Sequence, residues 1–201
     1  IGLDRLDRTP GIEWEFLDED TSPIHGDQLC DYDALLLLGS QIDAASVTEN
    51  RRLSLIARFG VGYDNVDVEA CTHSGIIVTI TPNGVRRPVA IAALTYLLAL
   101  SQKMLIKDSL VREGRWHERM DHMGTGLSDR TVGLIGLGNI GRELSGLLQP
   151  FGVRLLASDP RSSTYHAQQA GAELVDMGTL LRMSDFVVVC CELNSRTHHL
   201  I

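Results

Sequence analysis

Three glycines, Gly136, Gly138 and Gly141, stand in the spacing G-x-G-x-x-G directly after the apolar run Val132-Gly-Leu-Ile135. A helical pattern follows at once, and the next apolar run, Val153-Arg-Leu-Leu-Ala-Ser158, ends on Asp159. Residues of these types at these positions can hold a pyrophosphate. Gly136 permits a tight turn, Gly138 lets backbone approach the phosphates, and Gly141 lets the helix lie close on the strand. The helix start adds unpaired N–H groups and the positive end of its dipole. Asp159, roughly 20 residues past the first glycine, is placed to accept hydrogen bonds from ribose hydroxyls. A glycine-rich turn without a ligand is the competing reading, and the flanking strands, helix and acidic strand end argue against it. The cofactor expected is NAD. The Asp159 carboxylate would repel a 2′-phosphate, while Arg161, two residues on, pulls the other way.

These residues need an α/β scaffold. The chain has 201 residues, and 44% of them are hydrophobic, enough for one large core or two small ones. A formal net charge of −8 argues against a nucleic-acid or anionic-membrane partner. The longest apolar run, 89–100, is too short to span a bilayer, and no signal-peptide pattern opens the chain. Cys30, Cys71, Cys190 and Cys191 show no metal-ligand spacing. The vicinal pair reads as small apolar residues of a buried strand in a reducing, cytoplasmic compartment. The seven histidines form no ligand cluster, so no metal site is expected.

Apolar strand-like runs alternate with helical patterns, the sign of parallel sheets. Strands are predicted at 13–17, 34–38, 53–57, 76–80, 131–135, 153–158, 173–175 and 186–191. The run 34–38 is apolar throughout, as expected for a strand covered on both faces. A short helix is predicted over 67–73, and 81–84 reads as a loop. A long helix then starts at Pro88 and runs through Leu100, or on to Val111. Further helices are predicted at 140–151, 163–171 and 177–183. The fold class is therefore α/β, with two Rossmann-like lobes. The substrate domain is assigned to 1–87, the linker helix and crossing segment to 88–124, and the dinucleotide-binding domain to 125–201.

The stretch Arg58-Phe-Gly60-Val61-Gly62-Tyr-Asp64-Asn65-Val-Asp67 resembles the substrate loop of the D-isomer-specific 2-hydroxyacid dehydrogenases. The stretch Gly75 to Gly84, then Gly114-Arg-Trp116, the glycine fingerprint, Asp159-Pro160 and the closing Leu193 to Ile201 occur in that family's order. The likeness covers nearly the whole chain from about Tyr32 and is closest to the phosphoglycerate-dehydrogenase-like branch. It implies NAD-linked hydride transfer between a small 2-hydroxy acid and a 2-oxo acid, in a cleft between two lobes, by a homodimer paired through the linker helix and the Trp116 region. It also implies that Gly60, Val61 and Gly62 face the substrate carboxylate, with Val61 at the nicotinamide edge and Asn83 on the substrate side. Successive glycines can expose N–H groups as an anion-binding nest, and a plain strand-end turn is the alternative. By the same likeness Asn139 and Ile140 lie under the pyrophosphate and Cys191 lines the adenine side. Here Cys190-Cys191-Glu192 stands where the family often has His, Thr or Cys, then Pro, so the local backbone is expected to differ.

No catalytic residue is assigned within the chain. The family's carboxylate-binding arginine, its general acid/base histidine and the acid that orients it would lie beyond the stretch matching Leu200-Ile201. His73, His117, His122, His198 and His199 read as solvated or locally bonded. The chain thus reads as incomplete at both ends, and a segment is expected to be missing between Asn50 and Arg51. Two other readings keep the same fingerprint: an NAD-sensing, dehydrogenase-like corepressor without metabolic turnover, and an NAD-binding fragment without chemistry. Arg86 and Arg87 could attract a phosphate or second carboxylate of the substrate, or simply be solvated at a helix start.

Overall fold

The structure is a computed structural model that describes residues 3–17, 21–48 and 52–201. The proposed gap between Asn50 and Arg51 falls outside the described residues. The chain divides into two compact units, Ile1–Ile80 and Thr81–Ile201. The linker helix therefore belongs to the second unit.

In the first unit, helix α1 (Asp4–Asp7) is followed by β1 (Ala34–Leu37), α2 (Ala44–Val47), β2 (Leu55–Arg58), α3 (Val68–His73) and β3 (Ile77–Thr79). The three strands form a parallel sheet in the order β1-β2-β3, with Ala34 opposite Leu55 and Leu55 opposite Ile77. Asp67 caps α3 by accepting from the Ala70 N–H at 2.9 Å. Two expectations fail here. Residues 13–17 form no strand, because a strand exists only by pairing its backbone and none of the described strands adjoins them. Instead Trp14 packs edge-on against Phe16 and its indole N–H donates to Asp7. Nor is β1 buried on both faces: Leu35 and Leu37 are buried, while Leu36 is 52% exposed. An apolar run does not reveal how many faces are covered.

The second unit opens with α4 (Pro82–Ser101) and α5 (Met104–Arg112), followed by a 3₁₀ stretch over Trp116–His122. Then come β4 (Thr131–Ile135), α6 (Asn139–Leu148), β5 (Arg154–Ser158), α7 (Thr164–Gln169), β6 (Glu173–Leu174), α8 (Met177–Met183) and β7 (Phe186–Val189). The expected helix start at Pro88 is wrong. Pro82 occupies the first turn, where a missing N–H costs nothing, and Pro88 lies inside the helix. Asn83 and Gly84 accordingly sit in helix rather than loop. The helix also stops before Val111. Lys103 takes the left-handed conformation (φ 51°), and the two helices bend by 63° at the break. Among the described residues no single helix is long and apolar enough to cross a membrane, although α4 and α5 together pass on length and composition.

The four strands are parallel in the order β6-β5-β4-β7. From β4 the chain moves to β5 and β6 on one side, then returns to β7 on the other. The carboxyl ends of β4 and β7 are thus a topological switch point, the place where such sheets take ligands. Helices α4 and α6 pack together over a core that includes Leu97, Val132, Leu134, Leu144 and Leu148. β7 is an edge strand with Val187 and Val189 exposed, and it ends before the cysteines, so Cys190 and Cys191 are half-buried rather than strand core.

Candidate dinucleotide site

The turn after β4 carries the fingerprint. Register places Ile135 opposite Ser158 on β5 and opposite Val189 on β7. The next residues on all three strands therefore converge. The Gly136 N–H donates to the Ser158 carbonyl at 2.9 Å, and the Cys190 N–H to the Ile135 carbonyl at 2.8 Å.

Each glycine then has a separate physical reason. Gly136 has φ +96°, and a Cβ there would stand 2.7 Å from the Cys191 nitrogen. A Cβ on Gly141 would approach the Gly136 carbonyl oxygen at 2.4 Å. Both are demanded by the fold. Gly138 is different. Its φ of −73° suits any residue, and a Cβ would meet nothing within 4 Å. Nothing among the described residues requires glycine at that position, whereas a pyrophosphate seated on the backbone would.

Gly138 is the N-cap of α6, and the first helical bond runs from Arg142 N–H to its carbonyl. The N–H groups of Asn139, Ile140 and Gly141 precede that ladder and face the same end of the dipole. Arg142 braces the turn, donating to the Leu137 carbonyl at 3.2 Å and to Asn139 Oδ1 at 2.9 Å. Asp159 follows β5 directly. Its Oδ2 accepts from the Leu137 N–H and its Oδ1 from the Arg161 N–H, both at 2.8 Å. Each oxygen keeps acceptor capacity for a ribose hydroxyl. The residues present thus fit a dinucleotide: N–H donors for its phosphates and a carboxylate for its ribose.

Gly136, Gly138, Asn139, Ile140, Gly141, Asp159 and Cys191 are brought together around this one turn. Burial, together with the neighbouring Cys191, pushes the Cys190 thiol up to about 11, so it is not a thiolate nucleophile at neutral pH. Gly60, Val61 and Gly62 form the loop after β2 in the first unit. Gly60 is buried at φ +150°, and its N–H donates back to the Arg58 carbonyl, so not every N–H of the expected nest is free. A Cβ on Gly60 would meet the Arg58 guanidinium at 2.6 Å, and Arg58 Nη1 donates to the Phe59 carbonyl at the start of that loop. Asn83 is exposed in the first turn of α4. Arg86 and Arg87 both bridge Glu143 on α6, at 3.2 and 2.7 Å, and so tie two helices together. Among the described residues no His, Cys, Asp or Glu cluster suits a metal.

Sequence reasoning missed Arg142, Glu143 and Glu192. The first two carried a signal, because charged residues in the first turns of a helix that follows a glycine turn can reach the turn's own carbonyls, as Arg142 does, or a neighbouring helix, as Glu143 does. Glu192 forms an ion pair with Arg161 at 3.1 Å, which no local pattern announces.

The model of the D-isomer specific 2-hydroxyacid dehydrogenase NAD binding domain matches residues 94–201. A glyoxylate reductase from Thermococcus onnurineus is 32% identical over 195 residues, covering 94% of this chain and 58% of the relative. A D-3-phosphoglycerate dehydrogenase from Archaeoglobus fulgidus is 38% identical over 159 residues, covering 79% of this chain and 30% of the relative. The structure of D-lactate dehydrogenase from Escherichia coli superposes with a TM-score of 0.77 at 27% identity, covering 99% of this chain and 64% of that one. The chain spans about half or less of the length of the curated relatives it matches.

Proposed function

This chain belongs to the D-isomer specific 2-hydroxyacid dehydrogenase family, and from that premise we propose that it seats NAD in an oxidoreductase that interconverts a small 2-hydroxy acid and its 2-oxo acid. The observation that carries the reading is Gly138, a glycine for which the described residues give no steric need, at the N-terminus of α6 and at the sheet's switch point. The bound nicotinamide would supply the hydride. The chain's own groups would bind and orient: the N–H groups of Asn139, Ile140 and Gly141 receive the phosphates, Asp159 the ribose, and Cys191 the adenine side. Gly60, Val61, Gly62 and Asn83 would serve the substrate and nicotinamide edge, with Arg58 holding the glycine loop in shape. A homodimer is part of the proposal. Tyr96, Leu100, Met104, Leu105 and Trp116 are large, apolar and exposed on α4, α5 and the 3₁₀ stretch, where the family likeness puts the subunit contact. The engagement of Arg86 and Arg87 by Glu143 speaks against their serving a substrate phosphate.

The test is NADH oxidation by the full-length gene product with a panel of small 2-oxo acids, including glyoxylate, alongside calorimetric NADH titration. Saturable binding with turnover of at least one acid is expected. Absence of NADH binding by the folded protein would refute the reading.

A further inference from the structure

Arg161 and Glu192 meet beside the ribose carboxylate, and neither is accounted for by the cofactor seat. The Arg161 N–H donates to Asp159 Oδ1 at 2.8 Å, which fixes the start of its side chain next to that carboxylate. Its guanidinium pairs with Glu192, with Nη1 3.1 Å from Oε1. Glu192 directly follows Cys191, whose backbone nitrogen crowds Gly136. The two carboxylates and the arginine between them therefore border the same turn.

An arginine just past the ribose aspartate is the side chain that would accept a 2′-phosphate. With Arg161 free, the local charges of Asp159 and Arg161 would cancel. With Glu192 present the sum is negative, and the guanidinium already has an acceptor. We propose that Glu192 is a coenzyme-specificity residue, which holds Arg161 off the 2′ position and so makes the site select NAD over NADP. The proposal rests on the reading of Asp159 as the ribose ligand. The pair is exposed, with side chains 70% and 43% accessible, so it adds little to folding and can be removed without unfolding the site.

The experiment is fluorescence titration of the full-length protein with NADH and with NADPH, for wild type, Glu192→Gln, Arg161→Gln and the double variant. Glu192→Gln is expected to tighten NADPH about tenfold and to leave NADH within about twofold, since the amide is uncharged and isosteric. The double variant should lose most of that gain, because Arg161 is the group set free, and keep only the part due to the removed Glu192 charge. High salt should shrink the difference. An unchanged NADPH to NADH ratio in Glu192→Gln, or a gain that survives in full in the double variant, overturns Glu192 as the group that holds Arg161 off the 2′ position. Failure of wild type to bind NADH is a separate outcome that overturns the cofactor reading itself.

Discussion

Gly138 and Gly141 lie three residues apart in one turn, yet the structure separates their roles, and substitution should do the same. Gly141→Ala puts a Cβ 2.4 Å from the Gly136 carbonyl oxygen, where ordinary contact begins at 3.4 Å. Helix and strand must part by about 1 Å at a point where backbone meets backbone. Overpacking of this kind costs about 1–3 kcal/mol, and a rigid carbonyl puts it near the top of that range. Alanine's helix preference over glycine returns about 1 kcal/mol. The net loss is about 2 kcal/mol, or roughly 4–8 °C in Tm at ~2–4 °C per kcal/mol. At Gly138 an added Cβ meets nothing within 4 Å among the described residues, and Gly138→Val needs no unusual φ. The weaker N-cap costs up to ~1 kcal/mol, offset by about 0.4–1 kcal/mol of unfolded-state entropy, so Tm should hold within about 2 °C. Its effect should fall on the ligand: NADH affinity should drop about 100-fold or more, equivalent to ~2.7 kcal/mol. Thermal unfolding and calorimetric NADH titration of both variants give the two readouts. A Gly138→Val protein that binds NADH within about threefold of wild type would sink the phosphate seat, and an unshifted Tm for Gly141→Ala would sink the packing argument.

Asp159→Ser should weaken NADH about tenfold and NADPH much less, because one ribose acceptor and one repelling charge go together; parallel titrations check it, and an equal loss for both cofactors would contradict it. Cys190 has its folded-state pKa raised by burial, so its contribution to stability is whole below the unfolded thiol's value and fades as pH rises toward about 11. Denaturant midpoints should therefore fall above about pH 9, less so in Cys190→Ala; an equally steep fall in that variant would show the loss comes from elsewhere. Glu143→Gln should weaken both arginine bridges between α4 and α6 at a cost of about 1 kcal/mol, seen as a small drop in Tm with NADH affinity retained; lost NADH affinity would mean the bridge shapes the phosphate turn.

The second unit was legible in the linear chain because its order is local. β4 was predicted at its observed bounds, as was α8, and the G-x-G-x-x-G turn lies between elements whose own patterns are strong. The steric reasons for Gly136 and Gly141 also followed from spacing, since a strand–turn–helix allows few backbones. Residues 13–17 show where that legibility ends: Trp14-Glu-Phe16 alternates like a strand, but only a neighbour with free backbone groups makes one. The same holds for Pro88, because either proline satisfies a helix start by itself and only the packed helix selects Pro82. The all-apolar run 34–38 reads as a strand covered on both faces, and the exposed Leu36 shows otherwise, because an apolar run does not carry the number of its covered faces. The site divides in the same way. The glycine spacing and Asp159, the residues proposed to seat a dinucleotide, sit within one short-range strand–turn–helix–strand pattern, whereas the bridges from Arg86 and Arg87 to Glu143 and from Arg161 to Glu192 join residues far apart in the chain. Those partners are chosen by helix packing and sheet register, long-range constraints that no window of sequence contains.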